Sequence, residues 1–308
     1  MINISHTTHL KDELARFDTK KDCCALAELA AMARAMGELV LLGGGRVALD
    51  MSSEHHGTAL KIVSLCHRLF GIRPQMAVIS KRQPRPMEIY RVSISQSEVL
   101  EKIGIGTFPT PLGEFIKDEC CAASALRGTF LACGIISDPN KQYLLEFSLQ
   151  GESNAEEVVE LLARSGISCS WTERREKEII YVKEFDSLVS ITGLMEGYST
   201  LLELENIHII KDVRNRLNRR TNCDSANIDK TVNASALQRK DIQYIAGVIG
   251  LDSLSAPLEE VARARLEHPD ATLNELADML GVSKSAINNR LRKIRQTACE
   301  LRGQKEEF

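Results

Sequence analysis

The side chains best placed to do chemistry lie near the carboxyl end, in "ATLNELADMLGVSKSAINNRLRKIRQTA" (271–298). The spacing predicts a short helix, a tight turn and a longer helix. Thr272 followed by Glu275 forms a capping box, which starts the first helix and places it at 273–280. Leu273, Leu276, Ala277 and Leu280 share one face, and the small Ala277 lets a second helix cross closely. Gly281 supplies a positive-φ turn, Val282 plugs the junction, and Ser283 caps the next helix. That helix buries Ile287, Leu291 and Ile294, with Ala298 and Leu301 extending the stripe. The remaining side chains form the candidate contact set: Ser283, Lys284, Ser285, Asn288, Asn289, Arg290, Arg292, Lys293 and Arg295. Asparagine can bond an adenine edge in two places, arginine or lysine can do the same with guanine, and the other cations can take phosphates. An amphipathic helical hairpin with a wet basic face would have the same composition, but the Ala–Gly–apolar register favours a DNA reader.

Upstream, "LQRKDIQYIAGVIGL" and "APLEEVARARLEH" read as two supporting helices, with Pro257 in the first turn of the latter. Together the four helices make a compact module over 234–308. Before them, residues 206–233 are rich in Asn and Arg and poor in large apolar side chains. They read as a basic linker in which Asn218, Asn222 and Asn227 suit turns or polar contacts. Arg214, Arg216, Arg219 and Arg220 could track a phosphate backbone, or simply be solvated.

Other constellations carry less. "GGG" at 43–45 has no following Lys-Ser/Thr and reads as a hairpin turn, not a phosphate loop. His55–His56 open a helix with no carboxylate at ligand spacing. The adjacent cysteines 23–24 and 120–121 are not a CxxC chelate and read as small buried packers. No metal and no cofactor are expected. Nine cysteines without a regular spacing suggest reduced thiols in a cytoplasm rather than a disulfide framework.

Composition narrows the class further. The chain has 308 residues, 44% hydrophobic and 26% charged, which suits two folded domains and excludes wholesale disorder. No apolar run is long enough to span a bilayer, and the start lacks a basic-then-apolar signal layout. Charge is segregated: residues 206–308 carry 17 basic against 14 acidic groups, whereas the rest carries 22 against 28. Within 281–302 the balance is six basic to one acidic, a local stripe suited to a polyanion.

The first two thirds are organised by an internal repeat. "CCALAELAAMARAMG" (23–37) and "CCAASALRGTFLACG" (120–134) match at a constant offset of 97 residues. Each leads into a helix–hairpin–helix–hairpin pattern, and a closing helix follows near 184–196. A duplicated half-domain therefore folds as one pseudo-twofold α+β domain over 20–205, preceded by an N-terminal arm or helix at 1–19. The alanines of both helices, with Gly128, permit close backbone approach. Gly37 and Gly134 suit a left-handed helix terminus.

Two such helices ending in glycine and feeding strands resemble the two-repeat LAGLIDADG homing endonuclease domain. The copies read "LAAMARAMG" and "LRGTFLACG". In that family, the acid before each final glycine binds the divalent metals that activate water. Here those positions hold Met36 and Cys133, poor ligands for magnesium. The resemblance thus implies a scaffold that keeps the fold without strand cleavage, whose sheets could still meet DNA through Lys81, Arg82, Arg85, Arg91, Arg174, Arg175 and Lys177. Solvated strand edges would account for those charges equally well.

From about Lys11 to Arg302, the strings "AELAAMARAMG", "LRGTFLACGIISDPNKQYLLEF", "NRRTNCDSANIDKTVNASALQ" and "LNELADMLGVSKSAINNRLRKI" together resemble the WhiA family. That resemblance implies a duplicated LAGLIDADG-like α/β domain followed by an all-α helix-turn-helix domain. It also implies a non-enzymatic, sequence-specific DNA-binding regulator of transcription, acting in cell division, chromosome segregation and, where the host sporulates, sporulation. The expected partner is double-stranded DNA, with a regulatory protein as a second candidate, at a cytoplasmic, nucleoid-associated location and with no membrane. The rival readings are an active metal-dependent nuclease and a protein-interaction scaffold.

Overall fold

The computed structural model describes residues 5–81, 87–106 and 108–303. It comprises two compact units, Met1–Lys211 and Asp212–Phe308. In the first unit, helix α1 (His6–Arg16) precedes the two repeats. The first repeat runs α2 (Asp22–Met36), β1 (Gly37–Gly43), β2 (Arg46–Ser53), α3 (His56–Phe70), β3 (Gln75–Lys81) and β4 (Met87–Ile94). A short helix, α4 (Ser97–Lys102), leads to the second repeat: α5 (Glu119–Cys133), β5 (Gly134–Ile136), β6 (Leu145–Leu149), α6 (Glu152–Arg164), β7 (Ser170–Arg174) and β8 (Lys177–Val182). Helix α7 (Phe185–Leu194) closes the domain. The expected order of elements is therefore present in both copies.

Each repeat builds its own four-stranded antiparallel sheet with the same strand order, β1-β2-β4-β3 and β5-β6-β8-β7. Alternation along the strands sends Leu49, Met51, Val92 and Ile94 inward from one sheet, and Leu145, Phe147, Leu149, Ile180 and Val182 from the other. Between the sheets lie α2 and α5, packed against each other and buried on nearly every side. A helix apolar all round belongs inside a core, and these two satisfy that rule with alanines rather than leucines. The reason is distance. At Gly128 a Cβ atom would lie 2.3 Å from the backbone oxygen of Glu28. Only a residue without a side chain fits at that crossing.

The glycines ending α2 and α5 are needed for a different reason from the one expected. Gly37 and Gly134 are extended, with φ of −78° and −76°, and not left-handed. Each helix turns directly into a strand at that residue. A Cβ at Gly37 would sit 2.2 Å from the Ala33 oxygen, and one at Gly134 2.2 Å from the Phe130 ring. Close packing, not backbone handedness, selects glycine there. By contrast, Gly43, Gly44 and Gly45 all have positive φ in the β1–β2 turn, as a hairpin reading of "GGG" requires.

One buried ion pair ties the twin helices together. Arg127 of α5 reaches Glu28 of α2 at 3.0 Å, and the two side chains are 1% and 0% exposed. Glu28 also accepts from Thr19 Oγ1 at 2.7 Å and lies 3.5 Å from Lys61 Nζ. Arg127 donates further to Thr19 Oγ1 and Ser124 Oγ, both at 3.1 Å, and lies over the Phe17 ring. Burial draws the Lys61 ammonium below its ordinary value, with Glu28 opposing that shift. In the repeat alignment the counterparts of Glu28 and Arg127 are Ala125 and Ala30, so this network breaks the pseudo-symmetry.

In the second unit, the C-terminal part of α8 (Tyr198–Val248) packs with α9 (Ala256–Glu267), α10 (Leu273–Met279) and α11 (Lys284–Arg302). Its core is Ile242, Ile245, Val261, Ala262, Leu276, Ala277, Ile287, Leu291, Ile294 and Ala298. Residues 206–233 are helical throughout, as part of α8. Asn218, Asn222 and Asn227 thus stand within a helix and not in turns, because no proline or glycine interrupts 198–246 and the flanking residues continue the helix. At its start, α8 is capped from elsewhere in the first unit: Glu13 of α1 accepts from the backbone of Ser199 at 2.6 Å and from Thr200 N at 3.1 Å. Among the described residues, no helix is long and apolar enough to cross a membrane.

Two substitutions test this core by urea unfolding of the full chain. Gly128→Ala pushes a methyl into the Glu28 backbone and costs about 1–3 kcal/mol. Arg127→Ala leaves Glu28 buried beside only part of its network and costs about 3–5 kcal/mol, whereas the double change Glu28→Leu with Arg127→Met recovers most of that loss.

Candidate nucleic-acid interface

The helix-turn-helix begins with a chemically specified cap. Thr272 Oγ1 accepts from Glu275 N at 3.3 Å, and the Glu275 carboxylate accepts from Thr272 N at 2.6 Å. The bond from the Thr272 backbone N–H, with the Thr272 hydroxyl beside it, holds the Glu275 carboxyl below the usual glutamate range. Helix α10 then runs only seven residues before the turn. Gly281 takes φ of 64°, Val282 donates back to the Ala277 oxygen at 3.0 Å, and Ser283 Oγ accepts from Ala286 N at 3.2 Å to start α11.

Along α11 the apolar and polar faces separate cleanly. Ile287, Leu291, Ile294 and Ala298 are buried, while Lys284, Ser285, Asn288, Asn289, Arg292, Lys293 and Arg295 are exposed. At about 100° per residue, Ser285, Asn288, Asn289 and Arg292 fall within one arc of about 100° opposite the core. Lys284 and Arg295 flank that arc on one side and Lys293 on the other. Gln296, outside the expected contact set, shares the arc; its position four residues beyond Arg292 is the signal that finds it.

Two of the expected contact residues are otherwise engaged. Arg290 is half-buried and lies 3.4 Å from Glu260 on α9, so it joins two helices of the bundle. Ser283, though exposed, spends its hydroxyl on the helix cap. Arg302, at the end of α11, similarly pairs with Asp241 at 2.7 Å and lies over the Tyr244 ring. The acidic residues on α8 and α9 thus draw the inward cations of α11 onto the bundle and leave the outward ones facing solvent.

Arg214, Arg216, Arg219 and Arg220 of α8 are all exposed. Arg216, Arg219 and Arg220 project within an arc of about 100°, with Arg214 on another side. Arg216 pairs with Asp212 at 2.7 Å, Arg220 approaches Asp224 at 4.0 Å, and Arg219 donates to the Asn215 oxygen at 3.3 Å. Pairs of this kind on an exposed helix are weak and exchangeable.

The sheet cations divide differently. Arg91 lies 3.7 Å from Asp50, and Arg174 lies 3.6 Å from Glu146. Arg175 takes positive φ in the turn before Lys177. Around them the open sheet faces expose Leu39, Leu41, Val78, Ile135 and Trp171. Mixed apolar and paired charges make this a poorer phosphate surface than α11. Arg82, Arg85 and the Lys81 side chain lie outside the described residues.

Met36 and Cys133 stand where α2 and α5 end, both half-buried. Burial pushes the Cys133 thiol up to about 12, so it stays neutral, and Sγ donates to the Thr129 oxygen at 3.4 Å. Among the described residues, the groupings of three metal-capable side chains lie at the opposite, N-terminal ends of these helices, around Cys23, Cys24, Cys120, Cys121 and Asp118. Adjacency alone gives small buried packers at the helix interface; the fold in addition brings the sulfurs of the two pairs together.

The caps predict a measurable response. Ser283→Ala removes the α11 cap and lowers stability by about 1 kcal/mol. Because the folded-state Glu275 carboxyl is more acidic than in the unfolded chain, its contribution is present at neutral pH. It fades as the pH falls below the ordinary glutamate value of about 4.3. Unfolding curves of Glu275→Gln, which has no carboxyl to titrate, show a shallower acid loss than the native chain across that range.

Comparison with known proteins gives a consistent result along the length of the chain. Three family models match: a WhiA N-terminal LAGLIDADG-like domain at residues 22–106, a WhiA LAGLIDADG-like domain at 122–214, and a WhiA C-terminal HTH domain at 217–298. A probable cell division protein WhiA from Heliobacterium modesticaldum is 37% identical over 306 residues, covering 96% of each chain. One from Brevibacillus brevis is 37% identical over 310 residues, covering 97% of this chain and 98% of that one. The crystal structure of full-length WhiA from Thermotoga maritima shares the fold, with a TM-score of 0.58 at 23% identity over 97% of this chain and 99% of that one. With its two LAGLIDADG-like repeats and a C-terminal helix-turn-helix, this chain belongs to the WhiA family.

Proposed function

We propose that this protein is a sequence-specific DNA-binding regulator of transcription that acts in cell division and chromosome segregation, and in sporulation where the host sporulates. Residues 234–308 read the duplex and 20–205 serve as a scaffold that has lost strand cleavage. The observation that carries this reading is the exposed arc of α11, where Ser285, Asn288, Asn289 and Arg292 follow a capped short helix and a Gly281 turn. A helix so presented enters a major groove with its N-terminal half against base edges. Asn288, Asn289 and Arg292 suit adenine and guanine edges, and Lys284, Lys293 and Arg295 suit phosphates. Arg214, Arg216, Arg219 and Arg220 add phosphate contacts by exchanging their weak intrahelical pairs. The name that the relatives carry, cell division protein, supports the cellular role.

Loss of cleavage is supported by chemistry at the helix ends. A thioether and a neutral thiol, at Met36 and Cys133, do not bind magnesium, which prefers oxygen donors. Helix α1 also brings Lys11 close enough to Cys133 for the two to interact electrostatically, and a cation there opposes a second cation. The protein is read as working on the chromosome, in the nucleoid, without catalysis.

Gel-shift titrations against a site selected from the host genome test this assignment. Arg292→Ala and Asn288→Ala each weaken specific binding by about 1–3 kcal/mol and relax the base preference. Arg290→Ala, which loses its Glu260 pair, leaves that preference intact, and Arg219→Ala lowers the salt slope by about 1. Unchanged affinity and preference in both Arg292→Ala and Asn288→Ala overturn the reading. Supercoiled plasmid stays intact with the protein and magnesium; nicking that disappears on changing Met36 or Cys133 restores the nuclease alternative.

A further inference from the structure

The repeat places two cysteine pairs at equivalent positions, and the twin-helix packing turns that symmetry into a cluster. Cys23 and Cys24 lie in the first turn of α2, and Cys120 and Cys121 in the first turn of α5. Cys24 Sγ and Cys121 Sγ are 3.9 Å apart and buried. The sulfurs of Cys23, Cys24 and Cys121 all lie within 4.8 Å of one another, and Cys120 forms a second such group with Cys121 and Asp118. Lys21 Nζ approaches Cys120 Sγ at 3.6 Å. All four thiols are free.

We propose that this cluster is a thiolate site for one soft metal ion, zinc, with Cys23, Cys24 and Cys121 as ligands and Cys120, which neighbours Cys121, turning in as the fourth. The spacing fits: sulfurs bound at about 2.3 Å to a tetrahedral zinc stand about 3.8 Å apart, close to the Cys24–Cys121 separation. A disulfide needs about 2.05 Å between the same atoms. Charge fits as well. Each thiol releases its proton to solvent on binding, so four thiolates and one zinc leave two negative charges. The amino ends of α2 and α5, which both point at the cluster and have no side-chain cap, together with the Lys21 ammonium, offset that charge. Asp118, Asp22 and Glu119 stand nearby as hard oxygen donors, but thiolate sulfurs outcompete them for a soft ion. The ion lies at the end of the twin helices opposite Met36 and Cys133, where it clamps one repeat to the other. It is a structural tie and not a relic of the cleavage centre.

The test uses the full chain, purified with a non-thiol reductant and without chelator. Elemental analysis finds about one zinc per chain, as for other closed thiolate sites. Cobalt(II) substituted for zinc produces a thiolate-to-cobalt charge-transfer band. Both signals are lost in the Cys24→Ser, Cys121→Ser double variant and kept in Cys223→Ser, an exposed cysteine on α8. A chelator lowers the thermal midpoint of the native chain but not of the double variant. Equal metal in the native and double-variant chains overturns the proposal, as does a Cys24–Cys121 disulfide in protein alkylated before lysis. Should the double variant fail to fold, the native chain decides alone: a cobalt titration of the reduced, folded protein without the charge-transfer band refutes the site.

Discussion

The approach of α2 to α5 is the constraint from which the rest of the first unit follows. With the Gly128 position within reach of the Glu28 backbone, neither helix can carry a large side chain along the shared line. Small residues therefore line the crossing, and the bulk that a core requires comes from Leu29, Met32, Leu126 and Phe130 elsewhere on the two helices together with Leu49, Met51, Phe147 and Ile180 of the strands. Each sheet can cover its helix only if the chain turns from helix to strand without a loop, and this places glycine at 37 and 134. A methyl at any of these three glycines pushes against neighbouring atoms of the same core. This is why the two repeats behave as one domain.

The same closeness determines what chemistry each end of the helix pair can support. At the carboxyl ends, a metal-cutting centre would need two carboxylates facing each other across the axis. The chain offers a thioether and a thiol kept neutral by burial. At the amino ends, the axis brings four sulfurs together beside two positive helix termini. Midway, the Glu28–Arg127 pair sits where a symmetric duplication would have placed two alanines. A buried pair of this kind contributes little net stability over an apolar equivalent, yet it penalises any register in which the charges do not meet.

In the second unit, specificity of presentation comes from electrostatic sorting around a small core. Helix α11 carries cations on several sides. Glu260 and Asp241 bind Arg290 and Arg302 against the bundle, and the rest of the basic groups remain outward. Glu260 and Asp241 therefore have a structural task. The buried guanidinium of Arg265, bonded to the Ala271 oxygen, does comparable work at the loop before α10. The exposed arc sets Arg292 among Ser285, Asn288 and Asn289, with further cations at its margins.

Local sequence determined the elements whose signals span a few residues. The capping box at Thr272, the Gly281 turn, the Ser283 cap, the GGG hairpin and the apolar stripe of α11 are each written within one helical turn or one hairpin, and each lies where the spacing put it. The repeat was equally legible, because a constant offset is a property of sequence alone. Tertiary structure decided whatever depends on residues far apart in the chain. Gly37 required the packing of Leu49, on the next strand, to explain it in full. Glu28 and Arg127, 99 residues apart, became partners only when the helices crossed. Arg290 left the exposed face because α9 supplied Glu260, and the asparagines of 206–233 entered a helix because nothing in the stretch stopped it. The cysteine pairs, unremarkable as adjacent letters, met only through the pseudo-twofold, which sets Cys24 and Cys121 sulfurs 3.9 Å apart. Spacing along a chain specifies a face; it does not specify what that face meets.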